Sequence, residues 1–151
     1  MKGTKQLAAL AVSLLLLVSL AACGGSGASI DIKTLPESIL EQVTFEDELV
    51  ELDQNAIENF YTLPEGVTAR VFLGSGATSE EIGVFEAEDE AGAKAMLEHA
   101  KTHISQRITA FENYLPEQVK TLEEAIVEQI GNCVVVCVTK DVDTARSVIG
   151  L

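Results

Sequence analysis

The chain has 151 residues, and its 24 aspartates and glutamates against 10 lysines and arginines give a formal net charge of −14. That length is typical of one ordinary domain, and so large an excess of negative charge argues against nucleic acid or an anionic lipid surface as the partner. Aromatic residues make up only 5% of the chain and Trp is absent, which disfavours a base-stacking or carbohydrate-binding surface.

The first residues have the pattern of a secretory signal. Lys2 and Lys5 precede an uncharged run from Leu7 to Leu20, which is short for a bilayer span but typical of a signal peptide. The run ends in Leu20-Ala21-Ala22-Cys23, which resembles the lipobox of bacterial lipoproteins. That resemblance implies cleavage before Cys23 and a covalent diacylglycerol anchor, with acyl chains such as palmitate, on its thiol. A plain secretory peptide with a chance cysteine is the alternative.

We therefore expect three segments along the chain. Residues 1–22 would be a lipoprotein signal peptide, residues 23–30 the lipidated cysteine with a glycine-rich flexible tether, and residues 31–151 a single domain. The anchor would hold the protein at the cell membrane on its extracytoplasmic side. The acidic domain would stand off an anionic membrane rather than lie on it.

The remaining chain predicts an α+β domain whose strands come in adjacent pairs. Two short helices are expected first, at 35–43 and 53–61, and the residues between them, 45–52, fit no single element. The later elements are strands at 67–74 and 80–87, a long helix at 89–114, a short turn or helix at 116–122, strands at 124–130 and 133–140, and a terminal helix at 141–150. This ββαββα order favours a four-stranded antiparallel sheet with the long amphipathic helix packed on one face.

Arg107 stands out in the long helix. Its position lies in the apolar sector that Met96, Ile104 and Phe111 share, so its charge must reach the rim or meet a carboxylate. Glu86 alternates onto the strand face that carries Ile82 and Val84, which makes it one possible partner. A structural ion pair is the favoured interpretation, and an anion-binding arginine at a pocket, with Glu86 beside it, is the alternative.

Two histidines on the same helix are candidates for a metal site. His99 and His103 are one helical turn apart, on one face. Zinc requires three or four ligands, so the pair alone is an incomplete site. The simpler interpretation is that both histidines lie on a polar strip of the helix surface, beside its apolar sector. A calcium-binding loop needs alternating acidic positions, a glycine at its sharp turn and a closing glutamate. The acidic runs at 46–48, 86–90 and 123–124 do not have this spacing.

Cys133 and Cys137 lie in a β-branched run that predicts a buried strand. Residues four apart on a strand are roughly 13 Å apart, whereas a disulfide needs Cα atoms within about 7 Å. We expect both to be buried free thiols.

Three stretches together resemble the family called domain of unknown function 4358. They are Gly76 to Phe85, Gln106-Arg107 followed by Phe111 to Pro116, and Gly131 to Val134, in that order. The family has no established activity, so the resemblance implies an anchored extracytoplasmic domain of a bacterial lipoprotein and assigns no catalytic residue.

The sequence thus favours a non-enzymatic binding or interaction module. Its partners would be the membrane, through the acyl chain on Cys23, and either an envelope protein or a small ligand, and we expect no cofactor besides that lipid. The alternative is a metal-binding or hydrolytic domain that uses His99, His103 and nearby carboxylates. A third possibility is a structural subunit of an envelope complex.

Overall fold

A computed structural model describes residues 30–151, which form a five-stranded antiparallel sheet with helices on both faces. The helices are α1 (Leu35–Gln42), α2 (Gln54–Phe60), α3 (Glu90–Tyr114), α4 (Val119–Glu123) and α5 (Val142–Ile149), with a 3₁₀ turn at Pro116–Gln118 before α4. The strands are β1 (Val50–Glu51), β2 (Thr68–Leu73), β3 (Glu81–Glu86), β4 (Ile126–Ile130) and β5 (Cys133–Val138). The predicted signal peptide and Cys23 lie outside the described residues. Among the described helices, none has the length and apolar character needed to cross a membrane.

The strands run in the order β1-β2-β3-β5-β4, and every neighbouring pair is antiparallel. This confirms the α+β class, the antiparallel sheet and the long helix, but the predicted number of four strands is wrong. The fifth strand, β1, lies within the stretch 45–52, for which no element was predicted. Its two residues pair with Leu73 and Phe72 of β2. A strand that short shows no alternation that a sequence pattern could reveal.

Both faces of the sheet are covered, which explains the uninterrupted apolar run of β5. Val134, Val136 and Val138 belong to the core on the α3 side, whereas Val135 and Cys137 belong to the core on the opposite side. Because successive side chains of a strand point to opposite faces, a strand buried on both sides is apolar at every position.

Helix α3 covers one face. It begins after Asp89, whose Oδ1 accepts a 2.7 Å hydrogen bond from the Gly92 amide and so caps the first turn. The predicted apolar sector packs against the sheet, with Ala93, Met96, Ala100 and Ile104 buried.

Helices α1 and α5 cover the other face, where Ile39 of α1 and Ile149 of α5 share a core with Ile82 and Val84 of β3. This arrangement fixes the directions of the β3 side chains. Ile82 and Val84, and by alternation Glu86, face α1 and α5, while Glu81, Gly83 and Phe85 face α3.

Cys133 and Cys137 are both free and buried, as predicted. Burial raises the pKa of the Cys137 thiol to about 12 and also raises the pKa of Cys133. Both thiols therefore stay protonated at neutral pH and act as small apolar side chains.

Candidate functional site

The first residue of β3 carries a buried carboxylate, on the side of the sheet that faces α3. Glu81 has no solvent exposure. Its carboxylate accepts hydrogen bonds from the Tyr61 hydroxyl and from Nη1 of Arg107, and Nε2 of His103 lies 3.3 Å from both of its oxygens. Tyr61, Glu81, His103 and Arg107 are called the Glu81 cluster below.

Three elements supply the cluster. Tyr61 directly follows α2 as its C-cap residue, while His103 and Arg107 lie one turn apart on α3 and so point the same way. Gly83, two residues after Glu81 on the same strand face, leaves room for aromatic rings. A Cβ placed there would lie 2.7 Å from the Phe85 ring and 3.5 Å from the Tyr61 hydroxyl.

Aromatic side chains hold His103 and Arg107 in place. The His103 ring stacks on Tyr61 with centroids 3.9 Å apart, and the Phe60 ring meets it edge-on at 4.6 Å. The Arg107 guanidinium lies 5.6 Å from the Phe60 centroid and 5.2 Å from that of Phe111. The contacts of the guanidinium are favourable for a cation, and together the ring contacts hold both side chains in one orientation.

The electrostatics of the cluster favour an ionised Glu81. Burial by itself would raise the pKa of this carboxyl, but the hydrogen bond from His103 and the Arg107 charge outweigh burial and lower the pKa below its ordinary value. Burial and the neighbouring Glu81 charge raise the pKa of Tyr61 well above 10, so the phenol remains a donor. Since an ionised carboxylate only accepts, Nε2 of His103 must carry the hydrogen.

Arg107 therefore pairs with Glu81 and not with Glu86, which the sequence had offered as one possible partner. The prediction placed α3 on the strand face of Ile82 and Val84, whereas α3 covers the opposite face, and Glu86 points away from it. Arg107 also donates a 3.1 Å hydrogen bond to the Ser79 carbonyl, which ties α3 to the start of β3. These contacts support the interpretation that Arg107 forms a structural ion pair, and they identify Glu81 as its partner.

A surface cleft of about 250 Å³ lies beside the cluster. Its lining combines one aromatic ring with hydroxyl, amide and imidazole groups, from Phe60, Thr62, Thr102, Gln106, His99 and His103, with Glu98 at the edge. His103, only 8% exposed, belongs both to this lining and to the Glu81 cluster. The cleft therefore rests on a side chain that the buried ion pair holds in one orientation.

The second ring nitrogen of His103 gives the cleft a group that can form a hydrogen bond. Nε2 faces Glu81, and Nδ1 has no hydrogen-bond partner within residues 30–151. No buried side-chain nitrogen or oxygen of that region is left without a partner, so Nδ1 reaches solvent. With Nε2 directed at Glu81, Nδ1 is the ring nitrogen that is left to meet a ligand in the cleft.

The two predicted metal-binding histidines line the same cleft, but they lack a third ligand. Glu98, the acid among the lining residues, is engaged with Lys101 at 3.0 Å. Across residues 30–151, no three histidine, cysteine, aspartate or glutamate side chains are arranged to hold a metal ion. Metal binding by His99 and His103 stays a prediction.

Glu80, the other buried acid of this region, serves the fold instead. Its carboxylate accepts 2.9 Å hydrogen bonds from the backbone amides of Glu46 and Asp47, and so fixes the loop that leads into β1. Its acceptor capacity is used by the backbone of the protein, which leaves Glu80 outside the site.

The sequence interpretation missed Phe60, Tyr61 and Glu81. An acid at the start of the apolar run Ile82 to Phe85 was the available signal for Glu81, and the adjacent aromatic pair at the end of α2 was the signal for the other two. What brings them to α3 is the choice of sheet face, which no local pattern encodes.

The family model described as a domain of unknown function (DUF4358) matches residues 41–139. That region contains the whole sheet, α3, the Glu81 cluster and the cleft. No curated protein and no solved structure matches the chain. With about two thirds of its length matched by this model, the chain belongs to the DUF4358 family.

Proposed function

We propose that this protein is a lipid-anchored, extracytoplasmic binding module without catalytic activity, and that it takes a small ligand in the cleft beside the Glu81 cluster. The lipid anchor and the location rest on the sequence pattern of residues 1–23, which ends in Cys23.

One observation carries the binding site. The cleft rests on His103, a nearly buried imidazole whose orientation and tautomer are set by a buried carboxylate. Fixing a ligand-facing group through such contacts lowers the ordering cost of binding. The lining then fits a ligand with a polar group that hydrogen-bonds to Nδ1 of His103 and an apolar face for Phe60.

No hydroxyl of the described lining donates to a base, which favours binding over catalysis. Within the described residues, the cleft offers threonine hydroxyls, and Thr102 already donates its hydroxyl to the Glu98 carbonyl at 2.9 Å. An activated hydroxyl would instead have to donate to a base.

Thermal melts of the purified protein with sugars, amino acids, cell-wall fragments and divalent cations test this proposal. A ligand that binds only the folded state raises Tm by mass action. Gln106→Ala, which changes the cleft and leaves the Glu81 cluster intact, should abolish the shift. Ser105→Ala is the matched control, since Ser105 is an exposed neighbour outside the lining.

The outcomes separate the alternatives. A shift produced by divalent cations and lost in His99→Ala would replace this proposal with the metal site. No shift with any class of compound, or a shift that Gln106→Ala leaves unchanged, would overturn the cleft as the binding site.

A further inference from the structure

A second surface lies around the edge strand β1. Val50 is 62% exposed, an unusual exposure for a large apolar side chain in residues 30–151, where Tyr114 and Leu151 are the other examples. Two adjoining cavities meet beside it and share Leu52 and Leu73. Val50, Leu52, Ala56, Phe60 and Leu73 are called the β1 groove below.

The backbone of β1 is open for pairing on its outer side. Within the described sheet β1 is an end strand, with β2 as its neighbour. Leu52 donates its amide to the Val71 carbonyl at 2.8 Å, and Val50 lies opposite Leu73. In an antiparallel pair the residue between two such positions points its amide and carbonyl the other way, so those of Glu51 face off the edge of the sheet.

The charge around the groove is negative. Asp47 and Glu48 line it, and no lysine or arginine of the described chain does. Asp47 stays ionised, since hydrogen bonds from the Ser75 side chain and amide lower its pKa. Two bases pair with acids close in sequence to the groove residues, Arg70 with Glu51 at 2.6 Å and Lys140 with Glu46 at 2.8 Å.

We propose that the β1 edge and the β1 groove bind an extended segment of a partner protein that alternates apolar side chains with lysine or arginine. The segment would pair with Glu51 as an added strand, place its apolar side chains along Val50 and Leu73, and set its positive charges beside Asp47 and Glu48. This surface is separate from the cleft beside the Glu81 cluster, because Phe60 is the one residue the two share.

Titration with a short, end-capped peptide of alternating lysine and valine tests the proposal, with backbone NMR shifts to locate binding. The expected result is saturable binding with shifts at Val50, Glu51 and Leu73. Val50→Lys should weaken binding roughly tenfold or more, whereas Tyr114→Lys, which puts the same charge at an exposed apolar position elsewhere, should leave it within about twofold.

Two altered peptides identify the contacts. A glutamate–valine peptide should fail to bind because it reverses the charge, and a lysine–valine peptide methylated at alternate backbone nitrogens should fail because it cannot pair as a strand.

Several results would overturn the proposal. These are no binding of the lysine–valine peptide, equal binding of the glutamate–valine peptide, equal affinity of Val50→Lys and wild type, or shifts confined to Thr62, His99 and Gln106. The last result would move the peptide to the cleft. A failed peptide titration would leave the ligand-induced melting shifts that test the cleft unaffected, so the two proposals fail separately.

Discussion

Arg107 shows how a single buried charge can be indispensable without adding much net stability. An ion pair in an apolar interior gains Coulomb energy but loses the hydration of both charges, and the two contributions nearly cancel. Once Glu81 is buried beneath α3, however, Arg107 supplies the positive charge that balances it. Removal of one partner therefore costs far more than the pair contributes.

We accordingly expect Arg107→Ala to lower the free energy of unfolding by about 3–5 kcal/mol, because Glu81 keeps its burial and loses its counter-charge. Urea unfolding monitored by circular dichroism measures the difference. Arg146→Ala, at an exposed arginine of α5, should stay within about 0.5 kcal/mol of wild type. Wild-type stability for Arg107→Ala combined with loss of ligand binding would restore the anion-binding interpretation of Arg107.

The lowered pKa of Glu81 predicts a pH dependence. Its folded-state pKa lies below the ordinary value of 4.5, so its contribution to stability is complete above that pH and is lost as pH falls through the folded-state pKa. Glu81→Gln should therefore flatten the fall in unfolding free energy between about pH 5 and about pH 3.

Denaturant unfolding at a series of pH values measures this effect. Glu112→Gln, at an exposed position of α3, should keep the wild-type pH dependence. Other acids with lowered pKa values, such as Asp47 and Glu51, remain in both proteins, so the difference isolates Glu81. Parallel curves for wild type and Glu81→Gln would contradict the assignment of an ionised Glu81.

At the scale of elements, β3 connects the sheet to the cluster, and Gly83 is where its packing is tightest. A methyl group at that position would meet the Phe85 ring at 2.7 Å and 2.9 Å, below any ordinary contact distance. Phe85 is fully buried and its ring packs against Tyr61 with centroids 4.8 Å apart. The ring has little room to move without displacing Tyr61 from Glu81.

Gly83→Ala is therefore expected to destabilise the protein by about 1–3 kcal/mol through overpacking. In a Phe85→Leu background the same substitution should cost less, since the ring that it meets is gone, and a double-mutant cycle gives the coupling. Additive effects of the two substitutions would show that the strand adjusts freely at this position.

The boundaries of four helices were predicted closely from local sequence patterns. The helices predicted at 35–43, 53–61, 89–114 and 141–150 agree with α1, α2, α3 and α5 to within one or two residues at each end. Caps and apolar periodicity are local signals, and Asp53 and Asp89 both cap as side-chain acceptors. The strand β1 was missed because its two residues are defined by pairing with β2 alone.

At the scale of the whole molecule, the proposed anchor predicts where the protein resides. Cys23→Ser should abolish incorporation of labelled palmitate and leave the protein unprocessed or released from the membrane. Metabolic labelling with membrane fractionation, after expression in a bacterium, measures both. Cys133→Ala is the control, since that thiol is buried in β5, and should keep the label. Unchanged labelling of Cys23→Ser would contradict the lipoprotein proposal.

The sequence by itself determined the class of fold, the long amphipathic helix, the paired strands and the free state of Cys133 and Cys137. Each of these depends on periodicity or on distance along one element, which local chemistry sets. It also singled out Arg107, because a charge in an apolar sector must be compensated somewhere.

Only the tertiary structure decided which carboxylate compensates it. Ile82 and Val84 on one side of β3 and Phe85 on the other are all buried, so alternation alone cannot tell which side meets α3. The choice follows from α1 and α5 occupying the first side, and it brings Glu81, rather than Glu86, to Arg107 and His103. When both faces of a sheet are covered, the two sides of a strand are equally apolar and look alike in the sequence. Packing between elements that are distant in the chain then decides which side meets which helix.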